Sequence, residues 1–372
     1  MKVIGLVTCI ALGFLAGCNK PELQTELPPI DDTEPVAVRF GVSVPDITVT
    51  TKTDENSEEW SGHVLRIIGV ERGARLNINE SYFINNLPVS PPEENETHID
   101  IRRGDGSLYT YPKDEDDKDM ILDFYGYCHD GTADDYLDKY EDSIEMKINL
   151  RQWGHYDIIA AKASPEYDIL NCTDSRGAEV QMAQAYSAYA ARRGVQPTLE
   201  FKHMLTSFRL FIVDGNKGRS EHPVVLTDLR MDTKKLGVLQ IAPEQKIKVT
   251  EGQTKGYVKL PSLPDEIVPD PHYFDTDNPQ TAYSFNLMPG EESHKVYVKM
   301  KYVKDEDKDK EIPSLKLELK ASDIKTPSGE KITRFESGHR YDIAIIVYGA
   351  EEVELTPLLL GWEDVETPEI EL

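Results

Sequence analysis

The chain has 372 residues, with 67 Asp and Glu against 41 Lys and Arg, for a formal net charge of −26. So large an acidic excess excludes the basic footprint that nucleic-acid binding needs and favours solubility with repulsion between copies. An apolar fraction of 39% suffices for a core, and the length allows two domains.

At the N-terminus Lys2 supplies a positive start, and Val3 to Leu15 is an apolar run too short to span a bilayer. It ends in Leu15-Ala16-Gly17-Cys18, which resembles the lipobox of bacterial lipoproteins. Small residues before the scissile bond fit the signal peptidase, and the Cys18 thiol accepts the diacylglycerol. On this reading residues 1–17 are a signal peptide, Cys9 is discarded with it, and Cys18 becomes the first mature residue. Two glyceride chains and an amide-linked third would anchor firmly, at about 0.8 kcal/mol per buried CH₂. Residues 18–35 are polar, acidic and Pro-bearing and read as a tether. Processing leaves Cys128 and Cys172 as thiols. An exported chain meets an oxidising compartment, so they are candidates for a disulfide. Sequence alone does not bring their Cα atoms together, and pairing stays open. No other apolar run is long enough to cross a membrane.

From Val36 the chain reads as β-structure. Val36 to Val44 alternates apolar with small or polar residues, as a half-buried strand does. Further strands are predicted at Val64–Val70, Met120–Tyr127, Ile144–Leu150, Tyr156–Ala161, Leu199–Phe201, Ser207–Val213 and Val224–Asp228. The series continues at Tyr257–Leu260, Tyr283–Leu287, Lys295–Val303, Ser314–Leu319, Tyr341–Tyr348 and Val353–Leu360. Many short strands separated by Pro, Gly, Asp and Asn favour β-sandwiches. One helix is predicted over Ala178–Arg193, with Arg192, Arg193 and then Gly194 as its stop signal. A domain boundary follows it, giving residues 36–197 and 198–372 as the expected domains.

No dinucleotide fingerprint, phosphate loop, nucleophile elbow or zinc-protease helix occurs, so neither enzymatic activity nor a cofactor is expected. The acidic stretches Lys113–Asp119, Asp130–Asp142 and Lys304–Glu311 read as solvated loops. They lack the spaced register of a calcium loop, so no metal is expected. His155 with Asp157, and His339 with Asp342, follow Gly154 and Gly338 and read as turns entering strands rather than acid–base pairs. His203, beside an apolar strand, reads as a hydrogen-bonded core residue. Trp60, Trp153 and Trp362 read as core plugs or edge anchors.

These landmarks in order resemble the fimbrillin-like (type V pilin) lipoproteins of the Bacteroidetes, along nearly the whole mature chain. After the lipobox and tether come the Val36–Val44 strand, the Thr-rich stretch Thr48 to Thr53, Trp60 and the Leu65–Val70 strand. Leu122-Asp123-Phe124-Tyr125-Gly126-Tyr127 is similar to the family's D-F-x-A-Y element, with Gly126 in place of Ala and Cys128-His129 in place of the aromatic–Pro ending. Tyr156 to Ala161 resembles the strand that closes the first domain, and Phe201-Lys202-His203-Met204-Leu205 resembles the F-x-H-x-L landmark that opens the second. Phe335 to Val347 and Gly361-Trp362 resemble the closing segment; the acidic tail Glu363 to Leu372 departs from it. The resemblance implies an all-β fold of two tandem transthyretin-like β-sandwich domains, export as a lipoprotein and display on the outer membrane. It also implies other fimbrillin-like subunits as partners, with a host or bacterial surface ligand as a further candidate. In polymerising members an Arg-specific protease removes the first strand, and a strand from the next subunit replaces it by β-augmentation. Arg39 is the first Arg of this chain and the candidate processing site, although it lies inside the first strand. A non-polymerising, lipid-anchored binding protein is the alternative.

Overall fold

The computed structural model describes residues 29–43, 64–90, 98–113, 119–130, 133–152, 154–174, 176–260, 263–271, 282–304, 306, 310–326, 329–350 and 352–358. Cys18, the Thr-rich stretch, Trp60, Trp153, Trp362 and the acidic tail lie outside them. Residues 29–34 belong to a separate unit, and the main body starts at Pro35. No helix among the described residues is long and apolar enough to cross a membrane.

The body is all-β. Its strands are β1 (Arg39–Ser43), β2 (Leu65–Glu71), β3 (Tyr82–Val89), β4 (His98–Asp100), β5 (Leu122–His129), β6 (Ala133–Lys139), β7 (Ile144–Asn149) and β8 (Ile158–Lys162). Two short helices follow, α1 (Pro165–Leu170) and α2 (Ala188–Arg192). Next come β9 (Thr198–Glu200), β10 (Lys202–His203), β11 (Thr206–Asp214), β12 (Val224–Thr233), β13 (Leu236–Ala242) and β14 (Lys246–Val249). The last are β15 (Gly256–Lys259), β16 (Ala282–Leu287), β17 (Ser293–Tyr302), β18 (Leu315–Lys320), β19 (Arg340–Val347) and β20 (Val353–Leu358).

Two four-stranded sheets, β16-β11-β19-β20 and β15-β12-β17-β18, face each other across one core. Alternation along each strand decides what enters it, because successive side chains point to opposite faces. In β17, His294, Val296, Val298 and Met300 point inward, while Lys295, Lys299 and Lys301 stay exposed. Phe208, Leu210 and Ile212 of β11 meet them from the opposite sheet, beside Tyr341, Ile343 and Ile345 of the parallel neighbour β19. Each such side chain contributes about 1.5–3 kcal/mol by leaving water.

The remaining strands form three sheets: β4-β1-β9, β10-β8-β5-β2-β3 and β14-β13-β7-β6. The five-stranded sheet is covered on both faces. Leu65, Ile67, Phe124 and Ile159 join a core with Phe40 of β1, the preceding Val38 and Leu199 of β9. Ile68, Tyr125, Tyr127 and Ile158 join another core with Met146 and Ile148 of β7 and Leu239 and Ile241 of β13. Double coverage explains why β2 and β5 are almost wholly buried. The hairpin β13–β14 arrives from β12 in the opposite half of the sequence, yet β13 pairs antiparallel with β7, Leu239 opposite Met146.

The helix expected over Ala178–Arg193 does not form as one element. Two 3-10 turns, Gly177–Glu179 and Met182–Gln184, precede the five-residue α2. Arg72 donates to the carbonyls of Met182, Ala183 and Ala185, which a continuous helix would use itself, and to Leu122 O and Asp123. Tyr186 takes φ +65 and drives its ring fully into the core, against Phe124 at 5.9 Å. Its hydroxyl donates to Asp168, whose carboxylate also accepts the Thr198 N–H. The stop signal is as expected: Gly194 has φ +86 and its N–H donates to Ala191 O, while Val195 N–H donates to Ala190 O.

Candidate assembly and processing site

β1 is an inserted strand. It runs antiparallel to β4, with Arg39 opposite Asp100 and Phe40 opposite Ile99, and parallel to β9, with Val42 opposite Leu199. Just before it, Val38 N–H donates to Tyr109 O at 2.8 Å and Tyr111 N–H to Val36 O at 3.0 Å. Val38 and Phe40 are completely buried, and the Phe40 ring meets Phe124 edge-to-face at 5.0 Å. The fit to β9 is tight: a Cβ on Gly41 would lie 2.9 Å from Thr198 Oγ1. The Arg39 side chain is 55% exposed and its Nε lies 3.2 Å from Asp100. Its peptide bonds lie between two strands. A protease can reach the guanidinium, but the backbone becomes available only when β1 leaves its neighbours.

β20 is held differently. It lies at the edge of its sheet and pairs only with β19 among the described strands, Val353 opposite Val347 and Leu355 opposite Ile345. Val353 and Leu355 pack against the core from partly buried positions. The apolar alternation Val353, Leu355, Pro357 matches the Val38, Phe40, Val42 alternation of the β1 segment.

The F-x-H-x-L landmark sits where the cores meet. Phe201 belongs to the core containing β1, Met204 and Leu205 to the one containing β7. The Phe201 ring also explains Gly126: a Cβ there would lie 2.7 Å from Phe201 Cζ. His203, buried as expected, places Nδ1 2.7 Å from the Asp157 carboxylate. Asp157 N–H donates to Asp130 Oδ2 at 2.8 Å, and Asp130 Oδ1 is buried without a partner. Burial, with the Asp157 carboxylate adding to it and its N–H opposing, pushes the Asp130 carboxyl up to about 7.

Cys128 and Cys172 are both free, so the disulfide left open from the sequence is not formed. Cys128 lies buried on β5, opposite Ile159 of β8, and burial with the nearby Asp130 and Asp157 carboxylates pushes its thiol up to about 12. Cys172 follows α1, half-buried, with Sγ 3.6 Å from the carbonyls of Asp174 and Arg193. Among the acidic stretches, Lys113 and Asp119 form an antiparallel bridge, and Asp119 lies 3.3 Å from Arg192. Among the described residues no group of three His, Cys, Asp or Glu side chains is placed to hold a metal ion.

No family model matches the chain, and no curated protein matches it. Solved structures do. A candidate cell adhesion protein from Bacteroides uniformis is 14% identical, covering 89% of this chain and 100% of its own, with a TM-score of 0.46. A fimbrial protein from Bacteroides vulgatus is 12% identical over 88% of this chain and 100% of its own, also with a TM-score of 0.46. The tip fimbrial protein Mfa3 from Porphyromonas gingivalis is 9% identical over 87% of this chain and 99% of its own, with a TM-score of 0.41.

Proposed function

We propose that this chain is a surface-displayed, fimbrillin-like lipoprotein without enzymatic activity. It is lipidated at Cys18 and joins other fimbrillin-like subunits by β-strand donation. The two strands just described carry this reading. β1 fills a groove between β4 and β9, with Phe40 and the preceding Val38 completely buried, and the edge strand β20 has the same period-2 apolar pattern with one neighbour. A strand lost from such a groove exposes unpaired backbone and apolar core together, so a replacement strand binds strongly. The division into two sandwich domains at 197/198 and cleavage at Arg39 belong to the same proposal.

The placement of Arg39 favours a second version, an anchor or accessory adhesin that keeps β1. Its peptide bonds lie inside a paired strand rather than in a loop, where nicking concentrates.

Electrophoresis of sheared surface material, unboiled against boiled, from cells making the native chain or Cys18→Ala tests the proposal. A heat-collapsible ladder containing the chain, with surface retention dependent on Cys18, is expected for a subunit. A single band when other pilins are present refutes polymerisation, and retention unaffected by Cys18→Ala refutes the lipid anchor.

A further inference from the structure

β4 continues into a hairpin whose tip has no part in the packing described above. Arg102 and Leu108 form the last bridge, and Arg103 N–H donates to Ser107 O at 2.7 Å. Gly106 N–H donates to Arg103 O at 2.8 Å, and Gly106 takes φ +84. This is a short hairpin loop ending in a left-handed Gly. Its apex reads Arg103-Gly104-Asp105, and residues 102–107 are all exposed.

The three residues are set up as a presented ligand. Asp105 Oδ1 accepts from Ser107 N–H at 2.9 Å and Ser107 Oγ at 2.6 Å. These bonds, the side-chain one first, hold the carboxyl below its ordinary range and keep it ionised at neutral pH. They use Oδ1, and the residue as a whole is exposed. Arg103 lies with its guanidinium 4.8 Å from the Tyr109 ring centroid, a contact that in water is worth about 0.5–1 kcal/mol and is readily given up. Arg102 is occupied within the hairpin, donating to Gly106 O at 3.1 Å and lying 3.6 Å from Asp100. The tip thus offers one carboxylate and one guanidinium, separated by a residue without a side chain.

We propose that Arg103-Gly104-Asp105 is a receptor-binding site for a divalent-cation-dependent adhesion receptor of animal cells. Asp105 Oδ2 completes the coordination of a receptor-held Mg²⁺, which takes carboxylate oxygen readily. Arg103 enters an acidic cleft beside it, where carboxylates pair with the guanidinium fork. Gly104 allows the two side chains to splay apart. In the cell this site rests on the surface-display reading, but it does not need strand exchange.

The test is binding of the purified mature chain to a recombinant integrin ectodomain of the Arg-Gly-Asp-reading class, in Mg²⁺ and in EDTA. Asp105→Asn keeps the acceptor for Ser107 and removes the charge. Arg103→Ala removes the guanidinium, and Asp142→Asn is an exposed control. Thermal unfolding checks that all variants fold. Saturable binding is expected in Mg²⁺, abolished by EDTA, weakened at least about tenfold by Asp105→Asn or Arg103→Ala, and unchanged by Asp142→Asn. Absence of saturable binding, or binding that survives EDTA or Asp105→Asn in a folded protein, overturns the proposal. Failure of surface retention in cells, with receptor binding intact in vitro, would instead count against the display reading alone.

Discussion

Truncating Phe40 to Ala tests the idea that β1 is a plug. The side chain is completely buried and lies edge-to-face on Phe124, with Val38 one turn of the alternation away. Removing a buried Phe typically costs about 3–5 kcal/mol, through lost transfer energy and the cavity left behind. The aromatic pair adds roughly 0.5–1.5 kcal/mol beyond burial. Against a typical domain stability of about 5–15 kcal/mol this is a large fraction. Leu355 on β20 is the matched comparison. It is only partly buried and lies on an edge strand, so Leu355→Ala should cost about 1–2 kcal/mol. Urea denaturation followed by far-ultraviolet circular dichroism measures both. The ratio matters more than either value, because the unfolded-state reference is common to the two variants. If Phe40→Ala costs less than about 1 kcal/mol, or less than Leu355→Ala, β1 does not fill a groove in solution and the strand-donation argument fails.

Asp130→Asn should alter the pH dependence of stability. The folded carboxyl titrates near 7, well above its unfolded value, so the native state binds more protons in between and the wild type loses stability as pH rises from about 4 to about 7. Stability of Asp130→Asn minus wild type should therefore increase across that window and level off above it; a flat difference in urea melts at pH 5 and 8 contradicts the burial argument. Arg72→Ala removes donors to four carbonyls and the partner of Asp123. It should cost about 2–4 kcal/mol and speed amide exchange in residues 176–187, and an unchanged exchange pattern there would mean Arg72 does not set that segment's path. In a chain beginning after Cys18, a thiol reagent should label half-buried Cys172 in the native state and Cys128 only after unfolding, since Cys128 is buried and its thiol is pushed up to about 12. Equal labelling of both, read by peptide mass mapping, would count against the packing of β5.

Most strands were legible because period-2 alternation is a local property. β17 is the clear case, with Lys at alternate exposed positions and apolar residues between them. β3, β4, β6, β10, β13 and β14 were not, and for β3 and β6 the reasons are local too. β3 carries Asn86 at φ +53, and a register shift separates Ile67 from Gly69 in its pairing with β2. β6 reads Ala-Asp-Asp-Tyr-Leu-Asp-Lys, whose charge imitates a loop although the strand lies at a sheet edge where charge is tolerated. The hairpin tip at Arg103 was missed as well. Three residues carry no periodicity, and only exposure at a closed turn distinguishes a presented tripeptide from a chance one.

Sequence by itself determined the β-rich class, the acidic excess, the end of the α2 segment at Gly194 and the inward side chains of the half-buried strands. Each follows from neighbours in the chain or from composition. Tertiary structure decided the rest. It covered β2 and β5 on both faces and carried the β13–β14 hairpin across to pair with β7. It broke the expected helix by turning carbonyls toward Arg72, and it made Gly126 necessary by placing the Phe201 ring against it. These outcomes depend on contacts between residues tens to a hundred or more positions apart. Alternation tells a strand which of its faces is apolar, but it carries no information about which distant strand will cover that face.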